Sequence, residues 1–138
     1  MNGITGLNRI VRPQRIKYML ADLVLLHKIL GDSSRIRILK LLQQKELCVS
    51  TISSILGLSN STVSQHLLLL RKVDTIVARR DGKWINYILN SHISNPTIRS
   101  IVSVLLKGVE NDELVLRDRR LALKIDRVEV RSVQRTSH

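Results

Sequence analysis

The feature that most constrains this sequence is a glycine set between two short runs of helical periodicity. Ile52, Ile55 and Leu56 precede Gly57, and Val63, Leu67 and Leu70 follow it. Each run repeats apolar residues at the three- and four-residue spacing of a helix with one buried side. Gly57 stands where a helix readily ends on a left-handed residue, because it has no Cβ to clash there. Ser59 or Asn60 then supplies a side-chain oxygen for the first free amides of the next helix. Residues 48–56 and 60–72 are therefore predicted to form two helices joined by a tight turn, a helix-turn-helix. With Val63, Leu67 and Leu70 inward, Ser61, Ser64, Gln65 and Leu68 are left pointing largely elsewhere.

The residues after this unit predict a β-hairpin. Thr75-Ile76-Val77-Ala78 and Trp84-Ile85-Asn86-Tyr87-Ile88-Leu89 are rich in strand formers and flank Arg79-Arg80-Asp81-Gly82-Lys83, in which Asp81-Gly82 is a hairpin-turn signal. An isolated hairpin is marginal in water, so this one is expected to lean on the helices as a wing with a cationic tip.

Further helices are predicted on both sides. Residues 17–30 place Leu20, Leu23, Val24, His27 and Leu30 at helical spacing, with Gly31 as the stop. Asp32 or Ser33 caps the next helix. There Ile36, Leu39 and Leu42, with Ile38 and Leu41, are expected inward, and Arg35, Arg37 and Lys40 largely outward. Pro96 opens a fifth helix with an apolar stripe of Ile98, Ile101, Val102, Leu105 and Val109. Residues 112–130 place Leu114, Leu121, Ile125 and Val128 on one face, with Arg117, Arg119, Arg120, Lys124 and Arg127 around the remainder. The expected fold class is mainly α with a small β-hairpin, a winged helix-turn-helix over residues 15–110. A basic arm over residues 1–14, an added basic amphipathic helix over 111–130 and a frayed tail over 131–138 complete the chain. The first and fifth helices carry more apolar surface than so small a domain can cover. Burial against a symmetry copy, giving a homodimer through the N- and C-terminal helices, is expected ahead of an intrachain bundle.

Charge narrows the function. Lys plus Arg number 23 against 11 Asp plus Glu, a net charge of +12 that a compact chain of 138 residues carries most naturally when its partner is a polyanion. Aromatics are 2% of the residues and Phe is absent, too few for a base-stacking platform, which favours duplex DNA over RNA or single strands. The single cysteine, Cys48, excludes an intramolecular disulfide framework and a cysteine-based zinc finger. No run approaches the length of a membrane span and no signal-peptide pattern is present, so a cytoplasmic protein with no membrane partner is expected. The isolated histidines, the lack of a glycine-rich phosphate loop and the lack of a nucleophile motif argue against an enzyme.

Four collinear segments carry a family resemblance: Leu30 to Leu39, Glu46-Leu47-Cys48-Val49, Leu58 to Leu67, and Arg79-Arg80-Asp81-Gly82-Lys83 with Tyr87. Over roughly residues 20–90 their order and spacing resemble the ArsR/SmtB winged-helix repressors of bacteria and archaea. That resemblance implies a homodimeric repressor whose outer helices build the dimer, whose Ser61–His66 helix enters the major groove and whose wing grips phosphates. His66 matches the family's histidine in the reading helix, where it would bond a phosphate or brace the turn.

Many members of that family release DNA on binding a metal or metalloid, but the ligand positions match poorly here. Where metalloid sensors carry Cys-Val-Cys, this chain has Cys48-Val49-Ser50, one thiol short of what a soft ion demands. The arm ahead of Tyr18 holds neither Cys nor His. Asn90-Ser91-His92 is a poor start to the other common site, and the only later histidine is His138. No cofactor or metal is therefore expected. Cys48 is expected to be a small buried apolar residue before it is a sensor, and His27 a structural histidine.

The predicted function is a sequence-specific dimeric DNA-binding transcriptional regulator, a repressor, acting on double-stranded DNA with a palindromic operator. The candidate DNA-binding residues are Asn60, Ser61, Thr62, Ser64, Gln65 and His66 in the reading helix and Arg79, Arg80 and Lys83 in the wing. The alternative is an architectural protein that coats DNA without sequence preference, suggested by charge spread over arm, wing and tail.

Overall fold

The computed structural model describes the backbone of residues 12–136 and the side chains of residues 19–125. Six helices and a three-stranded sheet follow in the order α1 (Arg12–Leu30), α2 (Ser33–Gln44), β1 (Leu47–Cys48), α3 (Val49–Leu56), α4 (Asn60–Lys72), β2 (Ile76–Asp81), β3 (Trp84–Leu89), α5 (Pro96–Gly108) and α6 (Glu113–Thr136). No described helix is long and apolar enough to cross a membrane.

Helix α2 is the centre of the core. Asp32 caps it by accepting from the Arg35 amide at 3.1 Å. Its residues Ile38, Leu39, Lys40, Leu41 and Leu42 are all buried. Around it gather Leu26, Ile29 and Leu30 of α1, Ile52 and Ile55 of α3, Val63, Leu67 and Leu70 of α4, and Ile98, Val102 and Leu106 of α5.

The outward placement expected for Arg37 and Lys40 is corrected by α6, which packs against this side of α2. Arg37 donates from Nε and Nη2 to the two carboxylate oxygens of Asp118 in α6, at 2.7 and 2.8 Å, and Asp118 is only 2% exposed. This hydrogen-bonded pairing raises the Arg37 guanidinium above its ordinary value against the cost of burial. Buried Lys40 donates to Gln43 at 2.9 Å and to Glu110 at 3.4 Å. The basic last helix is thus joined to the domain through one of its few acidic residues.

In α1 the inward face also differs from the expected one. Leu26, Ile29 and Leu30 are buried, whereas Leu20 is 74% exposed and Val24 46% exposed, with His27 exposed and bonded through Nδ1 to the Leu23 carbonyl of its own helix. The helix begins at Arg12, earlier than its periodicity suggests, and residues 1–11 of the expected arm lie outside the described residues. At the other end α6 continues to Thr136, past the point where the tail was expected to fray. In α5 the inward residues are Ile98, Val102 and Leu106, while Val104 is 72% exposed.

The sheet has the order β1-β3-β2 and is antiparallel throughout. Its third strand, β1, pairs Leu47 with Tyr87 and Cys48 with Asn86, and is too short to leave a period in the sequence. Thr75, fully buried, donates from Oγ1 to the Leu70 carbonyl at 2.8 Å and so ties the end of α4 to the start of the hairpin. Asn90 closes the hairpin base by donating to the carbonyls of Thr75 and Asp74.

The Arg37–Asp118 pair yields a stability prediction. Asp118→Ala leaves a largely buried guanidinium without its acceptor and is expected to cost about 2–4 kcal/mol in urea denaturation. The Arg37→Leu/Asp118→Leu double variant is expected to lose less than the sum of its single substitutions, because the second change removes the uncompensated charge.

Candidate nucleic-acid interface

The turn ahead of α4 is fastened through one residue. The Ser53 carbonyl accepts from the amides of Gly57 at 2.9 Å and Leu58 at 3.2 Å, and the Ser53 hydroxyl donates to the Leu58 carbonyl. Gly57 lies at φ 69°, the left-handed region in which a Cβ is disfavoured. Ser59 then caps α4, its Oγ accepting from the Thr62 amide at 3.2 Å. These contacts set the angle at which α4 leaves α3.

Val63 and Leu70 are fully buried and Leu67 is 1% exposed, which anchors α4 along one line. The rest of its N-terminal half faces outward: Asn60, Ser61, Ser64 and Gln65 are all exposed. They form a cluster of amide and hydroxyl groups, each able both to donate and to accept. The other two candidates in this helix are partly committed. Thr62 is half-buried and its hydroxyl accepts from Ser59 Oγ at 2.9 Å. His66 is half-buried with Nδ1 3.3 Å from the Arg35 guanidinium, and since an arginine can only donate, Nδ1 is the acceptor. Arg35 in turn donates from Nε to the Ile29 carbonyl at 2.5 Å, so His66 joins α4 to the α1–α2 junction. Of the two roles open to His66, this contact favours the brace.

The wing is longer and its turn lies one residue later than the sequence signal. β2 runs through Asp81, which pairs with Trp84, so the loop is Gly82–Lys83. Gly82 has φ 59°, as the first loop position of a type II′ hairpin turn requires. Arg80 and Lys83 are exposed, and neither forms an ion pair among the described residues. Trp84, which opens β3 beside this turn, is 65% exposed.

Arg79 is differently placed. It forms an ion pair with Glu46, which precedes β1, and Asn86 donates to the same carboxylate oxygen at 3.3 Å. Arg79 and Asn86 are register partners, and Cys48 lies opposite Asn86 on β1, so all three share one face of the sheet. The hydrogen bond from Arg79, with its charge and the Asn86 amide, holds the Glu46 carboxyl below the ordinary glutamate range against slight desolvation. The same contact holds the Arg79 guanidinium above its usual value. The sequence places Glu46 in a recurring segment but offers no signal that it reaches Arg79, which only the β1–β3–β2 order brings near.

Cys48 is half-buried at the N-terminus of α3 and is not the apolar core residue expected from the sequence. Burial raises its thiol, but hydrogen bonding with the hydroxyls of Ser50 at 3.2 Å and Thr51 at 3.3 Å, and with their backbone, brings it below the ordinary thiol value. Among the described residues no three His, Cys, Asp or Glu side chains come close enough to hold a metal ion. A lone thiol flanked by hydroxyls does not fit the soft-metal site that the family resemblance brings to mind.

A capped helix with an exposed polar N-terminal half, preceded by a tight turn and followed by a cationic hairpin, defines a winged helix-turn-helix domain. Residues 32–75 match the family model described as bacterial regulatory protein, arsR family. The arsenical resistance operon repressor of Escherichia coli K12 is 42% identical over 69 residues, 49% of this chain and 59% of that protein. This match therefore spans less than two thirds of the relative's length. An uncharacterised HTH-type transcriptional regulator of Mycobacterium tuberculosis is 37% identical over 98 residues, 70% of this chain and 80% of that protein. Among solved structures, the transcriptional repressor PagR of Bacillus anthracis superposes with a TM-score of 0.52 at 34% identity, covering 64% of this chain and 98% of that one. The chain belongs to the ArsR family of bacterial regulatory proteins.

Two measurements check this geometry. Ser59→Ala removes the cap of α4 and is expected to cost about 1 kcal/mol in urea denaturation. Because folding depresses the Glu46 pKa, the tie to Arg79 is complete above the ordinary glutamate pKa and is lost as pH falls through the folded-state value. An NMR titration of the Glu46 carboxyl is expected to show a depressed midpoint that returns toward the ordinary value in Arg79→Gln.

Proposed function

We propose that this protein is a sequence-specific, dimeric transcriptional repressor, reading the major groove of its operator with α4 and gripping adjacent phosphates with the wing. The observation that carries this reading is the exposed run Asn60, Ser61, Ser64 and Gln65, held outward by the buried line Val63, Leu67 and Leu70. Amide and hydroxyl groups are the donors and acceptors that meet base edges, and a helix of ordinary diameter fits the major groove. Arg80 and Lys83 supply the charges that position such a helix on the duplex without reading sequence. His66 and Thr62 serve to hold the helix, and Arg79 contributes less than Arg80 because Glu46 already neutralises it.

Dimerisation is supported by apolar surface left without cover on the outer helices. Met19 is 39%, Leu20 74% and Val24 46% exposed on α1, and Val104 is 72% exposed on α5. A two-fold dimer through α1 and α5 would hide these side chains and duplicate α4, so the operator is palindromic with half-sites about one helical turn, ~34 Å, apart. The protein acts in the cytoplasm, where a bacterial operator lies. Nonspecific coating of DNA fits less well, since the wing spends one of its cations on an internal carboxylate. The E. coli relative is named as a repressor of an arsenical resistance operon; a response to arsenicals is not carried over to this chain, because Cys48-Val49-Ser50 holds one thiol.

Selection of bound fragments followed by footprinting is expected to yield two symmetric half-sites. Gln65→Ala is expected to change preference among bases, by about 1–3 kcal/mol at the affected position. Arg80→Ala is expected to weaken binding almost equally on all sequences and to reduce the salt slope by about one, with a smaller effect for Arg79→Ala. Uniform coverage of unrelated sequences would overturn the proposal.

A further inference from the structure

A cavity of about 280 Å³ lies between the C-terminal part of α2 with β1 on one side and α6 on the other. It shares no lining residue with the polar face of α4 or with the wing. Its volume is near the lower end of the range for small-molecule sites, ~300–1,000 Å³. The walls are apolar: Leu41 and Leu47 from one side, Val115, Ala122 and Leu123 from the other.

The charged groups on the lining are unbalanced. Among the described lining residues the cations Lys40 and Arg119 share one carboxylate, Glu110, while the lining carboxylate Asp118 has both oxygens engaged by Arg37. Lys40 is 3% exposed and gives two of its three ammonium protons to Gln43 and Glu110. Glu110, half exposed on the α5–α6 connection, is the carboxylate that faces this cluster from outside the cavity. It stands 3.4 Å from Lys40 and 3.7 Å from Arg119, longer than the ~2.7–2.9 Å of a well-formed charge-assisted bond. A loosely held internal carboxylate at the edge of an apolar cavity marks the place where an incoming carboxylate can compete.

We infer that the α2–α6 cavity is a binding site for a small amphipathic carboxylate, whose apolar body lies against Val115, Ala122 and Leu47 and whose head takes the position between Lys40 and Arg119 now shared by Glu110. The occupant is set by charge complementarity at Lys40 and Arg119: a neutral apolar molecule would leave these two cations sharing the one carboxylate of Glu110, and an ammonium would be repelled. The inference stands whether or not α4 reads DNA, because the site is formed by other residues.

The test is isothermal titration calorimetry of the full chain with octanoate, with 1-octanol as the uncharged match of the same length. Saturable binding of octanoate is expected at one per chain, about tenfold or more tighter than octanol, the worth of one charge-assisted contact. Glu110→Gln removes the internal competitor and is expected to tighten octanoate about threefold or more, and Arg119→Gln to weaken it by a similar factor, with octanol unchanged in both. Ala122→Trp fills the cavity and is expected to abolish binding. Should that variant not fold, Leu123→Glu, at an exposed position on the rim, is expected to weaken octanoate more than tenfold while leaving the thermal melt intact. Absence of saturable heat, equal affinity for octanol, or indifference of octanoate to both Glu110→Gln and Arg119→Gln would overturn the inference.

Discussion

Everything in this structure depends on helix α2 being covered on all sides. Ile38, Leu39, Lys40, Leu41 and Leu42 are consecutive and buried, and at about 100° of rotation per residue they sweep more than a full turn. A helix so placed cannot be half of a two-layer arrangement. Helices α1, α4 and α5 and strand β3 pack on it, and α6 closes the remaining side. That side carries Arg37 and Lys40, so burial becomes tolerable only because Asp118 meets the guanidinium with both oxygens and Gln43 and Glu110 meet the ammonium. The last helix is therefore a structural member of the domain.

The surface proposed to meet DNA inherits its geometry from this core. Burial of Val63, Leu67 and Leu70 against α2 fixes the rotation of α4 about its axis, and the cap at Ser59 with the left-handed Gly57 fixes where it starts. The hairpin is positioned at three points: Thr75 to the end of α4, Asn90 across its base, and Glu46 to Arg79 near its middle. An isolated two-stranded ribbon would wander, and these ties make the wing part of the same body as the helix it accompanies. They also divide labour among the cations, leaving Arg80 and Lys83 at the tip.

How much of this was legible in the sequence depended on whether the signal was local. The Gly57 turn, the capped α4 and its buried line could be read, because each rests on residues within one helical turn of one another. The inner face of α1 could not: Leu20, Leu23 and Val24 are as apolar as Leu25, Leu26 and Ile29, and periodicity alone has no means of choosing between two apolar sides. Strand β1 spans Leu47–Cys48, shorter than any detectable alternation. The chemistry of Cys48 suggests a core residue, yet it occupies the N-cap position of α3 with its thiol beside the hydroxyls of Ser50 and Thr51, half-buried where β1 passes into the helix.

The amino-acid sequence by itself determined the order of the helices, the helix-turn-helix, the exposed polar half of α4 and the cationic hairpin, since propensity, capping and turn chemistry act over a few residues. Tertiary structure alone decided which cations remain available and which are spent. Arg37 meets Asp118 across 81 residues and Arg79 meets Glu46 across 33, and no local rule ranks one partner for an arginine above another until the chain has folded. Charge acts through space and is indifferent to chain order, so a count of +12 sets the sign of the partner while only the fold says where that sign is presented.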